Sequence, residues 1–332
     1  VFLIGYLWVI IFQKSFYKMT EPAKLLADEY INSVPVDVLL SVRLTTYNQE
    51  DYIEQALDGI LCQQTDFAYE ICLGEDDSTD RTREICIEYA KKYPDKIRLF
   101  LRKKEDKIFI NGIMTGRYNG LETLRACRGK YIAMLEGDDF WTDPLKLQQQ
   151  VNLMESDPNV SLCGHNTKVV AADGRTEIED YCKYESQVWE LGEQVGAYHF
   201  HTSAYVMNRD VVDLWLQPSN GEVYNGDTAM YWRASTVGKI VYINEFMSVK
   251  RVQPKGLSSR FLYDEKKATI RHDFILKTIR ICRKDFDACW SSKLRRRELK
   301  QIRVLFRRSC RLKQPVWFIK SSYYLLRWML RL

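Results

Sequence analysis

The chain has 332 residues, of which 46% are hydrophobic and 28% are charged, a composition typical of a globular protein with a sizeable core. The formal net charge is +5, but residues 293–332 alone carry +12, from thirteen Lys or Arg and one acid, which leaves −7 for the rest. An acidic body with a basic C-terminal region excludes nucleic acid binding over the whole surface. The nine cysteines form no C-x-x-C pair, which excludes a zinc site built on such pairs and fits a reducing cytosol.

The first residues, Val1–Phe12, are almost entirely apolar, but about 20 residues are needed to cross a bilayer. Three interpretations stay open: the end of a membrane helix, the remnant of a signal anchor, or a helix packed on the body. No small-residue cleavage site follows, so no signal peptide is predicted. Because the first residue is not Met, we expect a truncated sequence or an alternative start codon. A polar, helix-like lead-in follows and ends at Pro35.

Strands then alternate with helices along the first half of the chain. The strands are predicted from runs of β-branched and aliphatic residues, and the helices from apolar residues at helical spacing. We predict four strands, at 38–44, 69–73, 97–101 and 131–136.

Capping residues predict where two of the helices begin. Asn48 is a suitable N-cap for the first helix, with Asp51 at the third helical position. After the fourth strand, Pro144 is predicted just inside a helix, with Thr142 or Asp143 as its cap.

The second half is less regular. We predict strands at 160–172, 199–207 and 239–244, and a helix at 228–236 that follows Asn225-Gly226-Asp227. From Phe261 onward the pattern is helical and basic.

Alternating strands and helices predict a parallel sheet, in which ligands bind at the carboxyl ends of the strands. Three polar clusters follow three of these strands, at 45–47, 75–77 and 136–139. Because the strand ends meet at one edge of the sheet, the sequence predicts a binding site at this edge.

The last of these clusters contains Glu136, Asp138 and Asp139 within four positions. Carboxylates this close repel one another and could not all remain ionised in a dry environment. A hard divalent cation, which prefers oxygen ligands, would remove the repulsion. The other interpretation is a solvated acidic turn, and the clusters on neighbouring strands favour the metal site.

These motifs, taken in order, resemble glycosyltransferase family 2, whose members have the GT-A nucleotide-sugar-binding fold. The resemblance implies an α/β fold with a mostly parallel, Rossmann-like sheet flanked by helices. It covers residues 36–256, with a donor half at 36–145 and an acceptor half at 146–256, between a segment at 1–35 and a basic helical region at 257–332. The matching motifs are Leu44-Thr-Thr-Tyr-Asn48, Glu75-Asp-Asp-Ser-Thr-Asp80, Gly116-Arg-Tyr-Asn119, Glu136-Gly-Asp-Asp139 with Trp141-Thr-Asp-Pro144, and Asn225-Gly-Asp227.

The resemblance implies a nucleotide-binding role for four residues. Thr45 and Tyr47 would hold the base, Tyr47 by stacking on it. Asp76 would accept the imide hydrogen of the base, which favours uridine. Arg117 would reach the base or the pyrophosphate. Without the resemblance, Tyr47 reads as a turn aromatic and Arg117 as a surface charge.

The resemblance also implies a metal site and a catalytic base. Asp138 and Asp139 resemble the family's metal and ribose pair, with a divalent cation (Mg²⁺ or Mn²⁺) bridging the donor phosphates, and Glu136 is a third candidate ligand. Asp227 occupies the position of the general base in inverting members, although it could simply cap the helix that follows.

One motif departs from the family pattern. Many members carry Arg-x-His near the end of the domain, where this chain has Arg251-Val-Gln253, so a second anchor on the metal or pyrophosphate is in doubt. His199 and His201 are read as core or rim histidines, although one of them could line the acceptor cleft.

The implied function is that of an inverting, metal-dependent glycosyltransferase that moves a sugar from a nucleotide donor, UDP, to a cell-surface polysaccharide or a lipid-linked acceptor. The alternative is a catalytically silent nucleotide-sugar-binding scaffold of a glycan assembly complex. The basic tail mixes Arg with aromatic and aliphatic residues, as interfacial helices do, although it could instead fold onto the catalytic domain. We therefore expect a cytoplasmic protein at the cytoplasmic face of the membrane, in peripheral contact with it through this tail.

Overall fold

The computed structural model describes residues 32–110, 113–216, 223, 225–253 and 265–330. The N-terminal segment Val1–Phe12 and most of the predicted lead-in helix therefore lie outside the described residues. The strands are β1 (Leu40–Thr46), β2 (Tyr69–Glu75), β3 (Ile97–Leu101), β4 (Ile108–Ile110), β5 (Ile113–Thr115), β6 (Tyr131–Glu136), β7 (Phe140–Trp141), β8 (Val160–Ala171), β9 (Glu177–Asp180), β10 (Gln187–Trp189), β11 (Val206–Asn208) and β12 (Lys239–Val252).

The helices surround a central sheet and continue into the basic C-terminal region. They are α1 (Ile53–Leu61), α2 (Thr82–Lys92), α3 (Arg117–Ala126), α4 (Lys146–Ser156), α5 (Arg209–Trp215), α6 (Gly226–Val237), α7 (Glu265–Asp285), α8 (Ala288–Arg311) and α9 (Pro315–Met329). The α/β class and the helical C-terminal region are both confirmed.

The main sheet has ten strands, eight of which lie in the order β10-β12-β8-β11-β6-β1-β2-β3. Strands β6, β1, β2 and β3 are parallel, as predicted. The other half is mixed, because β11 runs antiparallel to both β6 and β8. β4 and β5 form a separate hairpin.

Both faces of the parallel half are covered, which explains why its strands read as nearly continuous apolar runs. On β1, Leu40, Val42 and Leu44 pack into a core with α1, α2 and α4. On β6, Ile132 and Met134 point to a second core, which contains residues of α3 and α6.

Two predicted helix starts are wrong. α1 begins at Ile53, and Asn48 has a φ of +52° and accepts a hydrogen bond from the Thr79 backbone N–H (2.8 Å) instead of capping the helix. α4 begins at Lys146, so Pro144 precedes the helix. Asp143 still accepts a hydrogen bond from a backbone N–H in this turn, that of Leu145 (2.7 Å).

The predicted strand at 199–207 is also wrong over most of its length. Residues 202–204 form a 3₁₀ turn, and only Val206–Asn208 is a strand. The turn is held by buried contacts that a strand would not make: the Trp141 indole donates to the Ser203 carbonyl (2.9 Å), and the Ser203 N–H faces the His201 ring.

The three C-terminal helices pack together and against the body. Glu298, the one acid of the basic tail, is buried on α8 and forms ion pairs with Arg280 and Arg283 of α7. Among the described residues, no helix is both long enough and apolar enough to cross a bilayer.

Candidate active site at the carboxyl edge of the sheet

Strand register brings the three predicted polar clusters to one edge of the sheet. In the parallel pairing, Thr45 lies opposite Glu136 and Thr46 lies opposite Glu75. Asp76, Asp138 and Asp139 follow directly after these strand ends, so the edge gathers most of the acids selected from the sequence.

Tyr47 and Asp76, the predicted base-binding pair, are both contacted by Lys107. The Lys107 ammonium lies 3.6 Å from the centre of the Tyr47 ring and 3.3 Å from Asp76 Oδ2. Burial raises the pKa of Asp76 despite the opposing effect of Lys107. The sequence analysis did not identify Lys107, because it lies in a run of lysines that reads as solvated.

Thr45 and Glu136 form a polar cluster with Arg43. The Thr45 hydroxyl donates to Glu136 Oε2 (2.6 Å), and the Arg43 guanidinium pairs with Glu136 Oε1. Both carboxylate oxygens of Glu136 therefore already have partners in the protein. Thr45 lies at the predicted edge, and its described contact is with this carboxylate.

Asp138 and Asp139 are held beside Arg251. The Arg251 backbone N–H donates to Asp139 Oδ1 (2.9 Å), and its guanidinium donates to the Asp138 carbonyl (2.7 Å). Burial, and then the charge of Glu136, raises the pKa of Asp138 to about 6. Burial, and then the charge of Asp138, raises the pKa of Asp139 well above its usual range.

This pair fits a divalent cation by its donor chemistry. Two adjacent carboxylates in a poorly solvated place, each with a raised pKa, lack positive charge, and their oxygens are the ligands that Mg²⁺ and Mn²⁺ prefer. Glu136 fits less well because Arg43 and Thr45 already occupy its oxygens. Among the described residues, no group of three or more His, Cys, Asp or Glu side chains is arranged to hold a metal ion.

Arg117 begins α3 and reaches towards the start of α6. Its guanidinium donates to the Val223 carbonyl and lies 5.3 Å from the Trp215 ring. A Cβ at Gly226 would lie 2.5 Å from Arg117 Nη1, so the two segments touch. Arg117 is therefore placed beside the segment that carries Asp227, and its described contacts do not include Tyr47.

Asp227 lies in the first turn of α6, where the predicted cap role is not seen. The N-cap position is Asn225, which makes no side-chain capping bond. Asp227 Oδ2 instead accepts a hydrogen bond from the Tyr198 hydroxyl (2.9 Å). Glu222, the other acid that the sequence offers nearby, lies outside the described residues.

A chain of side chains connects the Asp138–Asp139 pair with Asp227. His201 Nδ1 lies 3.5 Å from Asp139 Oδ2, and the His201 ring centre lies 5.3 Å from that of Tyr181. Burial raises the pKa of Tyr181, and the charges of Asp227 and Asp139 both act in the same direction. Tyr181 therefore lies within reach of both carboxylates. The sequence gave no signal for the tyrosines, because their proximity comes from long-range packing.

Comparisons with known proteins address the family. The sequence model described as Glycosyl transferase family 2 matches residues 41–205. The uncharacterized protein Rv1520 of Mycobacterium tuberculosis is 32% identical over 236 residues, which cover 69% of this chain and 63% of that protein. This chain thus matches less than two thirds of the length of that curated relative.

Solved structures with the same fold contain nucleotides. TarS of S. aureus, in complex with UDP-GlcNAc, superposes with a TM-score of 0.62 at 14% identity, covering 87% of this chain and 81% of that chain. The mannosyltransferase PcManGT of Pyrobaculum calidifontis, in complex with GDP-Man and Mn²⁺, gives a TM-score of 0.52 at 15% identity, covering 96% and 92%. At these identities the likeness shows the fold alone, and it confirms the expected GT-A architecture. With the conserved fold and the sequence match over 41–205, the chain belongs to glycosyltransferase family 2.

Proposed function

We propose that this chain is an inverting, metal-dependent glycosyltransferase that moves a sugar from UDP to a hydroxyl group of a cell-surface polysaccharide or a lipid-linked acceptor. One observation carries the proposal: the contacts through His201, Tyr181 and Tyr198 join the Asp138–Asp139 pair to Asp227. A carboxylate pair for the donor phosphates and a separate carboxylate for the acceptor are the groups that a single displacement needs.

The donor would be held by groups at the strand ends. Tyr47 offers a ring face for the base, and Asp76 accepts its imide hydrogen. Asp138 and Asp139 would hold the divalent cation, which when bound stabilises the negative charge of the diphosphate leaving group as a Lewis acid. PcManGT, whose structure contains Mn²⁺, supports this assignment by fold likeness.

The acceptor would be activated by Asp227. An acceptor hydroxyl has a high pKa, so a positioned carboxylate must take its proton as it attacks the sugar. Because Tyr198 donates to Oδ2 of Asp227, the other oxygen, Oδ1, is the better placed to receive that proton. The tyrosine also fixes the orientation of the carboxylate.

The test is release of UDP from UDP-sugars in the presence of Mn²⁺ or Mg²⁺, with wild-type protein and Asp227→Asn. Asn is nearly isosteric with Asp but cannot take a proton, and general base catalysis contributes roughly 10²–10⁴-fold, so we expect turnover to fall by that factor while UDP affinity stays within about twofold. Asp213→Asn, an exposed carboxylate on α5, is the matched control.

Equal turnover in wild type and Asp227→Asn would remove the base assignment. UDP binding without any turnover, across a panel of sugars and acceptors, would favour the scaffold instead. A panel that includes GDP-sugars also tests the choice of base.

The C-terminal helices support a peripheral place at a membrane. α9 packs one face on α7 and α8, yet its opposite face is also apolar, with Val316 (73% exposed), Ile319 (68%), Tyr323 (54%) and Leu326 (50%) at helical spacing. A solvent-facing stripe of this kind is typical of a helix that lies in a membrane interface.

The charge of the neighbouring helix agrees with this placement. Arg296, Lys300, Arg303 and Arg307 line one groove on α8, and no acid lies among them. Anionic headgroups attract such residues by about 1 kcal/mol each. The nine cysteines are all unpaired, as in a reducing compartment, so we assign the protein to the cytoplasmic face.

A further inference from the structure

Lys107 lies where the base of a nucleotide would have to bind. Its ammonium is 3.6 Å from the centre of the Tyr47 ring, a distance at which it covers the ring face. The same ammonium pairs with Asp76, and the side chains of Lys107 and Asp76 are only 4% and 5% exposed. One cation therefore covers the stacking surface and also occupies the hydrogen-bond acceptor.

The contact has a physical reason to exist when no nucleotide is bound. A carboxylate buried without a partner is costly, and a paired cation lowers this cost. A Lys ammonium over an aromatic face adds an attraction that grows as the site loses water. Lys also has a long, flexible stem, so its head can leave the site while the backbone of the segment stays in place.

We propose that Lys107 is a built-in competitor of the nucleotide base: the base can stack on Tyr47 and donate to Asp76 only after the Lys107 ammonium has left both. The inference rests on the proposed function, because it takes Tyr47 and Asp76 as the base site. It goes further by assigning Lys107 a role in controlling donor entry. Every donor would bind more weakly than the empty site allows, by the free energy of this contact.

The experiment measures the affinity of UDP by titration calorimetry for wild type and Lys107→Ala. We expect Lys107→Ala to bind UDP about tenfold more tightly, since the contact no longer has to be broken. Lys104→Ala removes the same charge from an exposed position three residues away and should leave the affinity within about twofold.

Inorganic pyrophosphate is the second probe, because it lacks a base. Its affinity should not rise in Lys107→Ala, whereas a general electrostatic effect of losing one positive charge would weaken both ligands. Thermal unfolding of each variant checks that the fold is intact.

The outcomes separate this inference from the proposed function. Unchanged or weaker UDP binding by folded Lys107→Ala, with wild type binding normally, would overturn the competitor role alone. No binding of UDP or GDP by any variant would overturn the nucleotide site, and the competitor role with it. Tighter UDP binding, without tighter pyrophosphate binding, would support both.

Discussion

Replacing Asp138 with Asn should stabilise the metal-free protein at neutral pH. In the folded protein, burial and the Glu136 charge raise the pKa of Asp138 to about 6, from an ordinary value of 3.8. The charged form is therefore disfavoured by folding, and the protein carries this carboxylate at the expense of stability. Asn keeps the shape of the side chain and has no charge to bury.

The size and sign of the effect follow from the pKa. At about 1.36 kcal/mol for each pKa unit, the rise corresponds to about 3 kcal/mol. Because the folded state holds the proton more tightly than the unfolded state, the stability from this group is fully present below about pH 4 and is lost as the pH rises to about 6. Asp138→Asn should thus exceed wild type in free energy of unfolding by up to about 3 kcal/mol at pH 7 and match it at pH 4.

Urea unfolding in EDTA at both pH values measures this difference. Asp37→Asn, an exposed carboxylate near the first strand, is the control and should change the free energy by less than about 0.5 kcal/mol. Mn²⁺ at about 100 times its Kd should then add about 2.7 kcal/mol to wild type at pH 7, and far less to Asp138→Asn. The reasoning fails if Asp138→Asn is the less stable protein at pH 7, or if the difference does not depend on pH.

Two further predictions concern the tail and the sheet edge. Ile319→Glu with Leu326→Glu should release the protein from vesicles containing anionic lipid in a flotation assay, while Val188→Glu, the same change at an exposed residue of β10, should not; equal flotation of all three would assign the α9 stripe to another partner. These point variants are better than truncation after Ser292, because buried tail residues would go with it. Gly74→Ala should destabilise by about 1–3 kcal/mol in urea unfolding, since a Cβ there would lie 2.2 Å from the nearest side-chain oxygen; Gly116→Ala, with 3.8 Å of room, should be nearly neutral, and equal effects would contradict the packing argument.

Local patterns predicted the parallel half of the fold well. The apolar stripe of α1, which includes Ile53, Ala56, Leu57 and Ile60, is buried against the sheet, and the four predicted strands are all present. β12 extends well beyond its predicted end at Asn244, because the register shifts between Ile243 and Phe246 and pairing resumes after this irregularity. A polar interruption reads as a strand end when the partner strand is unknown.

Contacts between distant residues could not be predicted in this way. Asn48 has the chemistry of a helix cap, but its side chain bonds to Thr79, 31 residues away. Lys107 reads as one more exposed lysine until packing buries it beside Asp76. The sequence analysis therefore found most of the carboxylates of the site but missed the groups that hold them, since partner identity depends on tertiary structure.

Those partners divide the three acids of the Glu136–Asp139 cluster into two kinds. Arg43 comes from the neighbouring buried strand and pairs with Glu136, whose second oxygen accepts from Thr45, so this acid is neutralised within the protein. Near Asp138 the guanidinium of Arg251 is directed at a backbone carbonyl, and both aspartates keep raised pKa values. Because an acid with a fixed partner gains less from a metal ion than one without, a cation at this edge would be held by the two aspartates, and Glu136 would serve to keep them short of positive charge.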